Sequence, residues 1–179
     1  MTLSDTAVVA ASLDEPALFG ELFDRHGRVV HAYLARRIGA DRADDTTAET
    51  FRIAFEQRSS FDVGRGEVRP WLLGIATNLV RRQARSEERR LRAIGRVGVD
   101  DIATDPSWTG ADELRAALVD LDPGDRDVVL LIAWEDLSYQ QVADALDIPI
   151  GTVRSRLHRA RQQLRARLHA HLDEEDVHG

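Results

Sequence analysis

The sequence has no cysteine and no lysine, and only one methionine and five prolines among 179 residues. Without cysteine, a disulfide scaffold, a thiolate metal site and a cysteine nucleophile are excluded. The longest apolar run, Val128 to Trp134, is too short to cross a bilayer. Residues 1–13 carry Asp5 and no Arg, so no secretory leader is expected and the chain reads as cytoplasmic, without membrane insertion. Strand-like alternation is missing as well. Apolar residues recur instead at steps of three and four, the spacing of amphipathic helices.

What is present is apolar matter enough for a core, 43% of residues, and a charge of −7 that is far from evenly spread. Residues 1–99 balance at +2, 100–147 at −11, 148–168 at +6 and the tail from 169 at −4. Local surfaces therefore matter more than the total. All 24 cations are arginine, a usage that GC-rich codons suffice to explain. Each is nonetheless a planar five-donor fork suited to phosphate or guanine.

The pattern predicts an all-α protein of two small helical domains joined by a flexible acidic linker, the second holding a helix-turn-helix. The expected bounds are 15–94, 95–111 and 112–170. One or two helices cover Leu18 to Gly39. Another runs from Asp44 to Arg58, with Ala48, Phe51, Ala54 and Phe55 inward. Phe61 to Arg69, with Gly64 and Gly66, reads as a loop. Pro70 is placed as the first residue of the helix that follows. Residues 97–112 carry four acids and no base, as a solvated spacer would. Beyond them come a helix near 111–120 and one capped at Asp122, and the tail 173–176 is expected to fray.

Ser138-Tyr139-Gln140-Gln141 fits a capping box. Val142 and Leu146 form the inner stripe of a short helix, and Asp147-Ile148-Pro149 makes a turn. From about Ile150 a longer helix has Val153, Leu157, Ala160, Leu164 and Leu168 inside. At about 100° per residue its opposite face carries Ser155, His158, Arg159 and Gln162, flanked by Arg154, Arg161 and Arg165. No acid lies between 148 and 168. A solvated helix usually intersperses Glu for i,i+4 pairing, so this face suits a DNA major groove better than plain solvent. In the first half, Trp71 opens a helix leading into Arg81, Arg82, Arg85, Arg89, Arg90, Arg92 and Arg96. An aromatic beside a basic track suits unpaired DNA, with bases stacking on the ring and phosphates meeting Arg. The Gly64–Gly66 loop could wall a pocket for an extruded base, with Asn78 offering its amide. The plainer alternatives are a core Trp71, a buried structural Asn78 and a solvated Arg-rich helix end. Asp44, Asp45 and Glu49 suit either a helix N-terminus or a surface for a basic partner.

The strings Leu137-Ser138-Tyr139-Gln140-Gln141-Val142-Ala143 and Ile150-Gly151-Thr152-Val153-Arg154-Ser155-Arg156-Leu157-His158-Arg159-Ala160-Arg161 resemble region 4 of the bacterial sigma-70 family, most of all its extracytoplasmic-function (ECF) group. Arg69-Pro70-Trp71-Leu72-Leu73-Gly74-Ile75-Ala76-Thr77-Asn78 resembles the family's −10 segment in region 2, and Asp44-Asp45-Thr46-Thr47-Ala48-Glu49-Thr50-Phe51 its polymerase-docking helix, from which Thr47 and Ala48 depart. The resemblance covers residues 15–92 and the helix-turn-helix, in the family's order. It implies a sigma factor that binds core RNA polymerase at the β′ clamp and β flap and recognises promoter DNA. Arg154, Ser155, His158, Arg159 and Gln162 would meet the −35 element. Trp71, Asn78, Arg81, Arg82 and Arg85 would meet the −10 element, and Asp44, Asp45 and Glu49 the polymerase. An anti-sigma protein is implied by the resemblance alone.

Three rivals stand beside this reading. An enzyme lacks support, because there is no phosphate loop, nucleophile elbow or carboxylate pair. The best metal cluster, His169-x-His171 with Asp173 and Glu174, sits on the tail. No catalysis and no cofactor are expected. A stand-alone helix-turn-helix regulator would need a dimer to read two half-sites. A pure interaction protein would set the Arg face against an acidic partner. The −11 segment beside the +6 helix also predicts that the chain alone binds DNA weakly.

Overall fold

The computed structural model describes residues 3–62, 64, 66–93 and 111–177, with the side chains of 93, 111, 112 and 168–177 left aside. The linker assigned to 95–111 falls almost wholly outside the described residues, as do Arg96 and the side chains of the His169–Glu174 cluster. Among the described residues there are eight α-helices, two short 3-10 turns and no strand.

Helix α1 (Asp5–Ala11), which sequence periodicity did not reveal, is capped by Ser4 and docks through Asp5. That carboxylate takes Arg25 Nη1 at 2.8 Å and His26 Nε2 at 2.6 Å. Burial pushes the Asp5 carboxyl up, but the hydrogen bonds and charges of Arg25 and His26 outweigh it and hold the group below its ordinary value. Helix α2 (Gly20–Ile38) stops at Gly39, whose φ of 85° and ψ of 153° lie in a region almost closed to side chains. Helix α3 (Ala40–Gln57) therefore starts at once, four residues earlier than its expected beginning at Asp44.

The phase of α3 also differs from expectation. Phe51 and Ala54 are buried, but Ala48 is exposed, and Thr46, Thr47 and Thr50 face inward instead. Helical spacing puts 43, 46, 47, 50, 51 and 54 on one stripe, and Thr46 and Thr50 fit it because their hydroxyls bond within the helix. Thr46 donates to the Arg42 carbonyl at 2.8 Å and Thr50 to the Thr46 carbonyl at 2.7 Å. Helix α4 (Val68–Ala93) begins two residues before Pro70. The proline still sits in the first turn, where its missing N–H costs no hydrogen bond.

The C-terminal unit is four helices: α5 (Ala111–Val119), α6 (Pro123–Ala133), α7 (Tyr139–Leu146) and α8 (Ile150–Val177). Pro123 opens α6 behind Asp122. The Arg126 guanidinium donates to the carbonyls of Leu118, Val119 and Leu121, closing the C-terminal end of α5. The Ser138 capping box is complete, with Gln141 N–H to Ser138 Oγ at 3.2 Å and Ser138 N–H to Gln141 Oε1 at 2.8 Å. Asp147, at φ 51°, turns the chain into α8. Val153, Leu157 and Ala160 are buried there as expected, and the helix continues as helix through the stretch 173–176 that was expected to fray.

The two units pack against each other. Helix α4 lies along α7 and touches α6, and one apolar cluster runs from Leu22 and Tyr33 through Leu72 and Leu73 to Val128, Leu131, Val142 and Val153.

Within the N-terminal unit, the Thr47 hydroxyl is buried without a hydrogen-bond partner. Thr47→Val keeps the shape and removes the unsatisfied group. It is expected to stabilise the protein by about 1 kcal/mol, read as a higher midpoint in thermal unfolding.

Candidate nucleic-acid interface

The helix-turn-helix places its second helix outward. With Val153 and Leu157 fixed in the core, Arg154, Ser155, His158, Arg159 and Gln162 are all exposed on α8. Ser155 donates its proton to the Thr152 carbonyl at 3.1 Å, so its oxygen faces out as an acceptor. Arg159 is different from its neighbours. Its fork binds the buried Asp125 carboxylate twice, Nε at 3.0 Å and Nη2 at 2.8 Å. That bond and its charge raise the Arg159 pKa, and half of the side chain still faces solvent. Asp125 thus fixes the guanidinium on the outer face of α8 in a bidentate geometry of high specificity. Beside this pair, one turn earlier on α8, Arg156 lies over Gly124, where a β-carbon would come within 2.9 Å of the guanidinium carbon.

On α4, one stripe runs Trp71, Asn78, Arg82, Arg85. Asn78 is exposed, which removes the buried-amide alternative, and Arg82 and Arg85 are exposed too. Trp71 is half-buried, its ring 4.8 Å from that of Phe61, so the indole serves the core and presents one side outward. Beside Trp71 lies a cleft of about 510 Å³, lined by Phe61, Asp62, Trp71, Gln141, Asp144 and Pro149. One wall is the glycine loop expected to cradle a base, in which Gly64 N–H binds Asp62 at 2.9 Å. The opposite wall is the α7–α8 turn, which brings carboxylates rather than cations. Arg81 is not on the open stripe. It reaches across to Asp127 on α6.

Asp44 and Asp45 are exposed on α3. Because the helix starts at Ala40, they sit in its second turn, beyond the reach of the terminal dipole. Asp44 meets His31 at 3.0 Å. Glu49 is bound twice by Arg52 at 2.7 Å, which holds its carboxyl below the usual range.

The residues missed by sequence reasoning form the contact between the units. Asp127 is completely buried between Arg37 and Arg81. Glu135, 3% exposed, takes Arg36 at 2.5 Å and Arg69 at 3.1 Å, and the Glu135 carbonyl takes Arg69 at 2.8 Å. Burial raises the Glu135 carboxyl pKa and the two arginines oppose the rise. The Arg36 guanidinium also lies 5.0 Å from the centre of the Trp134 ring. One signal was available: these two acids bracket the most apolar run of the chain, 128–134.

Removing the Arg159 fork tests what it reads. Arg159→Ala is expected to cost about 1–3 kcal/mol of discrimination at one base position if the fork meets a base edge. Quantitative transcription from a randomised upstream element separates that from a uniform loss, the mark of a phosphate contact.

Known proteins share this arrangement. The family model of sigma-70 region 2 matches residues 22–90 and that of sigma-70 region 4 matches residues 111–164. The ECF RNA polymerase sigma factor SigE of Mycolicibacterium smegmatis is 38% identical over 94% of this chain and 69% of its own length. SigL of Mycobacterium tuberculosis is 32% identical over 90% and 94%. Among solved structures, the sigma factor RpoE of Bartonella quintana, in complex with the anti-sigma factor NepR, superposes with a TM-score of 0.68. It is 26% identical and covers 84% of this chain and 96% of that one. CnrH in complex with the cytosolic domain of CnrY gives 0.65, 27%, 93% and 97%. With both regions matched in order and relatives aligned along nearly the whole chain, the protein belongs to the sigma-70 family of RNA polymerase sigma factors, in its extracytoplasmic-function group.

Proposed function

We propose that this sigma factor works from the cytoplasm without catalysis of its own, and that its two units, 15–94 and 112–170 with a linker at 95–111, share out the promoter between them. The exposed face of α8 reads the −35 element through Arg154, Ser155, His158, Arg159 and Gln162. Trp71, Asn78, Arg81, Arg82 and Arg85 engage the −10 element, where the ring stacks on a base and the arginines follow the backbone. Asp44, Asp45 and Glu49 meet core RNA polymerase at its β′ clamp, and the C-terminal unit meets the β flap. The observation that carries this reading is the acid-free outer face of α8, held outward by a buried Val153–Leu157–Ala160 stripe and preset at Arg159 by Asp125. An anti-sigma protein is a fitting partner, because the solved relatives RpoE and CnrH are bound by NepR and CnrY.

A stand-alone regulator is disfavoured by the acidic second turn of α3, which a DNA-binding dimer would not use. Each DNA face is also small. With three to five arginine contacts the salt slope would be about −0.9 per phosphate neutralised, so tight promoter binding requires the polymerase to hold both units at once.

Run-off transcription from genomic fragments with core polymerase, with and without this chain, tests the reading. New discrete transcripts are expected only with both present. Reversing the charges at Asp44 and Asp45 to Arg is expected to slow association with core polymerase about tenfold or more at low salt. The stability of the free chain is expected to stay unchanged, as seen in stopped-flow binding and thermal unfolding. A gel shift by the chain alone at nanomolar concentration would overturn it.

A further inference from the structure

The pairing of Arg159 with Asp125 fixes more than the position of one side chain. A guanidinium carries five N–H donors around a plane. Asp125 takes Nε–H at 3.0 Å and one Nη2 hydrogen at 2.8 Å, so one edge of that plane is fully used. Three donors remain, two on Nη1 and one on Nη2. One from each nitrogen points forward, in parallel, at the end of the fork. The carboxylate is buried and the Arg159 side chain is 52% exposed, so this free end is the part that faces solvent. Asp125 itself is 1% exposed in the first turn of α6, out of reach of any DNA base.

In the major groove only guanine offers two acceptors side by side, O6 and N7. Adenine and cytosine place an amine donor there, and thymine a single acceptor. The free end of a fixed fork therefore matches guanine alone among the bases. Phosphate could accept from it too, but the Arg159 charge is met by Asp125, and Asp122 adds to the negative charge around it. A pair of opposite charges draws a phosphate far less than a lone arginine does. Arg154 and Arg161 differ in this respect. Both are exposed on α8 and neither meets a carboxylate among the described residues, so each keeps a full charge for the DNA backbone. Holding the fork before DNA arrives also removes rotamer freedom that an unheld Arg159 would lose on binding.

Resting on the promoter reading above, we propose that Asp125 is a specificity-determining positioning residue: it occupies one edge of the Arg159 guanidinium, offsets its charge, and so commits the remaining edge to a single guanine of the −35 element rather than to phosphate. The base preference at that position then originates in a buried carboxylate of α6 that never meets DNA. It acts only through Arg159.

The test uses the full chain in polymerase holoenzyme, with transcription from a library randomised across the −35 element and duplex binding over a range of salt. The unsubstituted protein is expected to select one guanine, on either strand, about tenfold or more over the other bases. Asp125→Asn, which keeps the shape, is expected to cut that selection to about threefold or less while the other selected positions keep theirs. It is also expected to steepen the salt dependence of duplex binding by about one phosphate, a change of about −0.9 in slope. Asp125→Ser, a smaller residue, repeats the test should the asparagine disturb the fold, and circular dichroism with thermal unfolding reports on folding for both. In an Arg159→Ala chain the same Asp125 substitutions are expected to leave base selection unchanged, which a merely structural role would not. Guanine selection that survives the loss of Asp125 overturns the proposal. So does a loss spread evenly over all −35 positions, or an Asp125 effect that persists without Arg159. Failure of the promoter reading looks different: the unsubstituted holoenzyme would select no −35 sequence at all, and the proposal would fall with it.

Discussion

Two buried carboxylates set the terms for this fold. An ionised Asp in an apolar interior carries a desolvation cost of several kcal/mol unless cations and hydrogen bonds surround it. Asp127 has no exposed surface and Glu135 almost none, yet each sits between two arginines from the other unit. The carboxylates are therefore tolerable only while the N-terminal unit supplies those arginines, or while water or another partner replaces them. Such pairs contribute little net stability against an apolar alternative, but they punish wrong arrangements heavily. Their effect here is to select one relative placement of α4 and α7 among the many that an apolar stripe alone would allow.

That selection explains why one apolar cluster runs through both units. Leu72 and Leu73 of α4 and Val142 and Leu146 of α7 are all buried, so separating the units exposes apolar surface as well as charge. Burial of this kind is worth about 25 cal/mol per Å², and the ion pairs give it direction. On α4 a seven-residue step puts Gly74 and Arg81 on the face toward the C-terminal unit. Trp71, Asn78, Arg82 and Arg85 lie on the adjoining face. Interdomain packing and the exposed stripe thus divide one helix by angle rather than by segment.

Much of the architecture was legible in the sequence because it rests on local rules. The Ser138–Gln141 box, the Pro123 start behind Asp122 and the 153–157–160 stripe each depend on residues within one or two turns, and all appear where spacing puts them. What was hidden rests on contacts distant in the chain or on side chains of mixed character. Helix α1 is short and is held by Asp5 to Arg25 and His26, twenty residues away. Thr46 and Thr50 of α3 read as polar until their hydroxyls are seen to bond within the helix, and Thr47 is buried beside them with its hydroxyl unpaired. The outward face of α8 was readable, yet the Asp125 partner of Arg159 lies 34 positions earlier, beyond any helical period.

The charge pattern acquires its meaning from this distant pairing. The −11 segment is not merely a neighbour that weakens the attraction of α8 for DNA. Two of its acids are used point by point against arginines of the other unit, and a third, Asp125, orients Arg159. A surface charge contributes through a screened field that decays over about 8 Å at physiological salt, whereas a buried pair is screened much less. The weak DNA binding expected from net charge would fade as salt screens the field. The fold places its key carboxylates in the second class, so their pairing with the arginines of the N-terminal unit is screened far less than the surface charge around them.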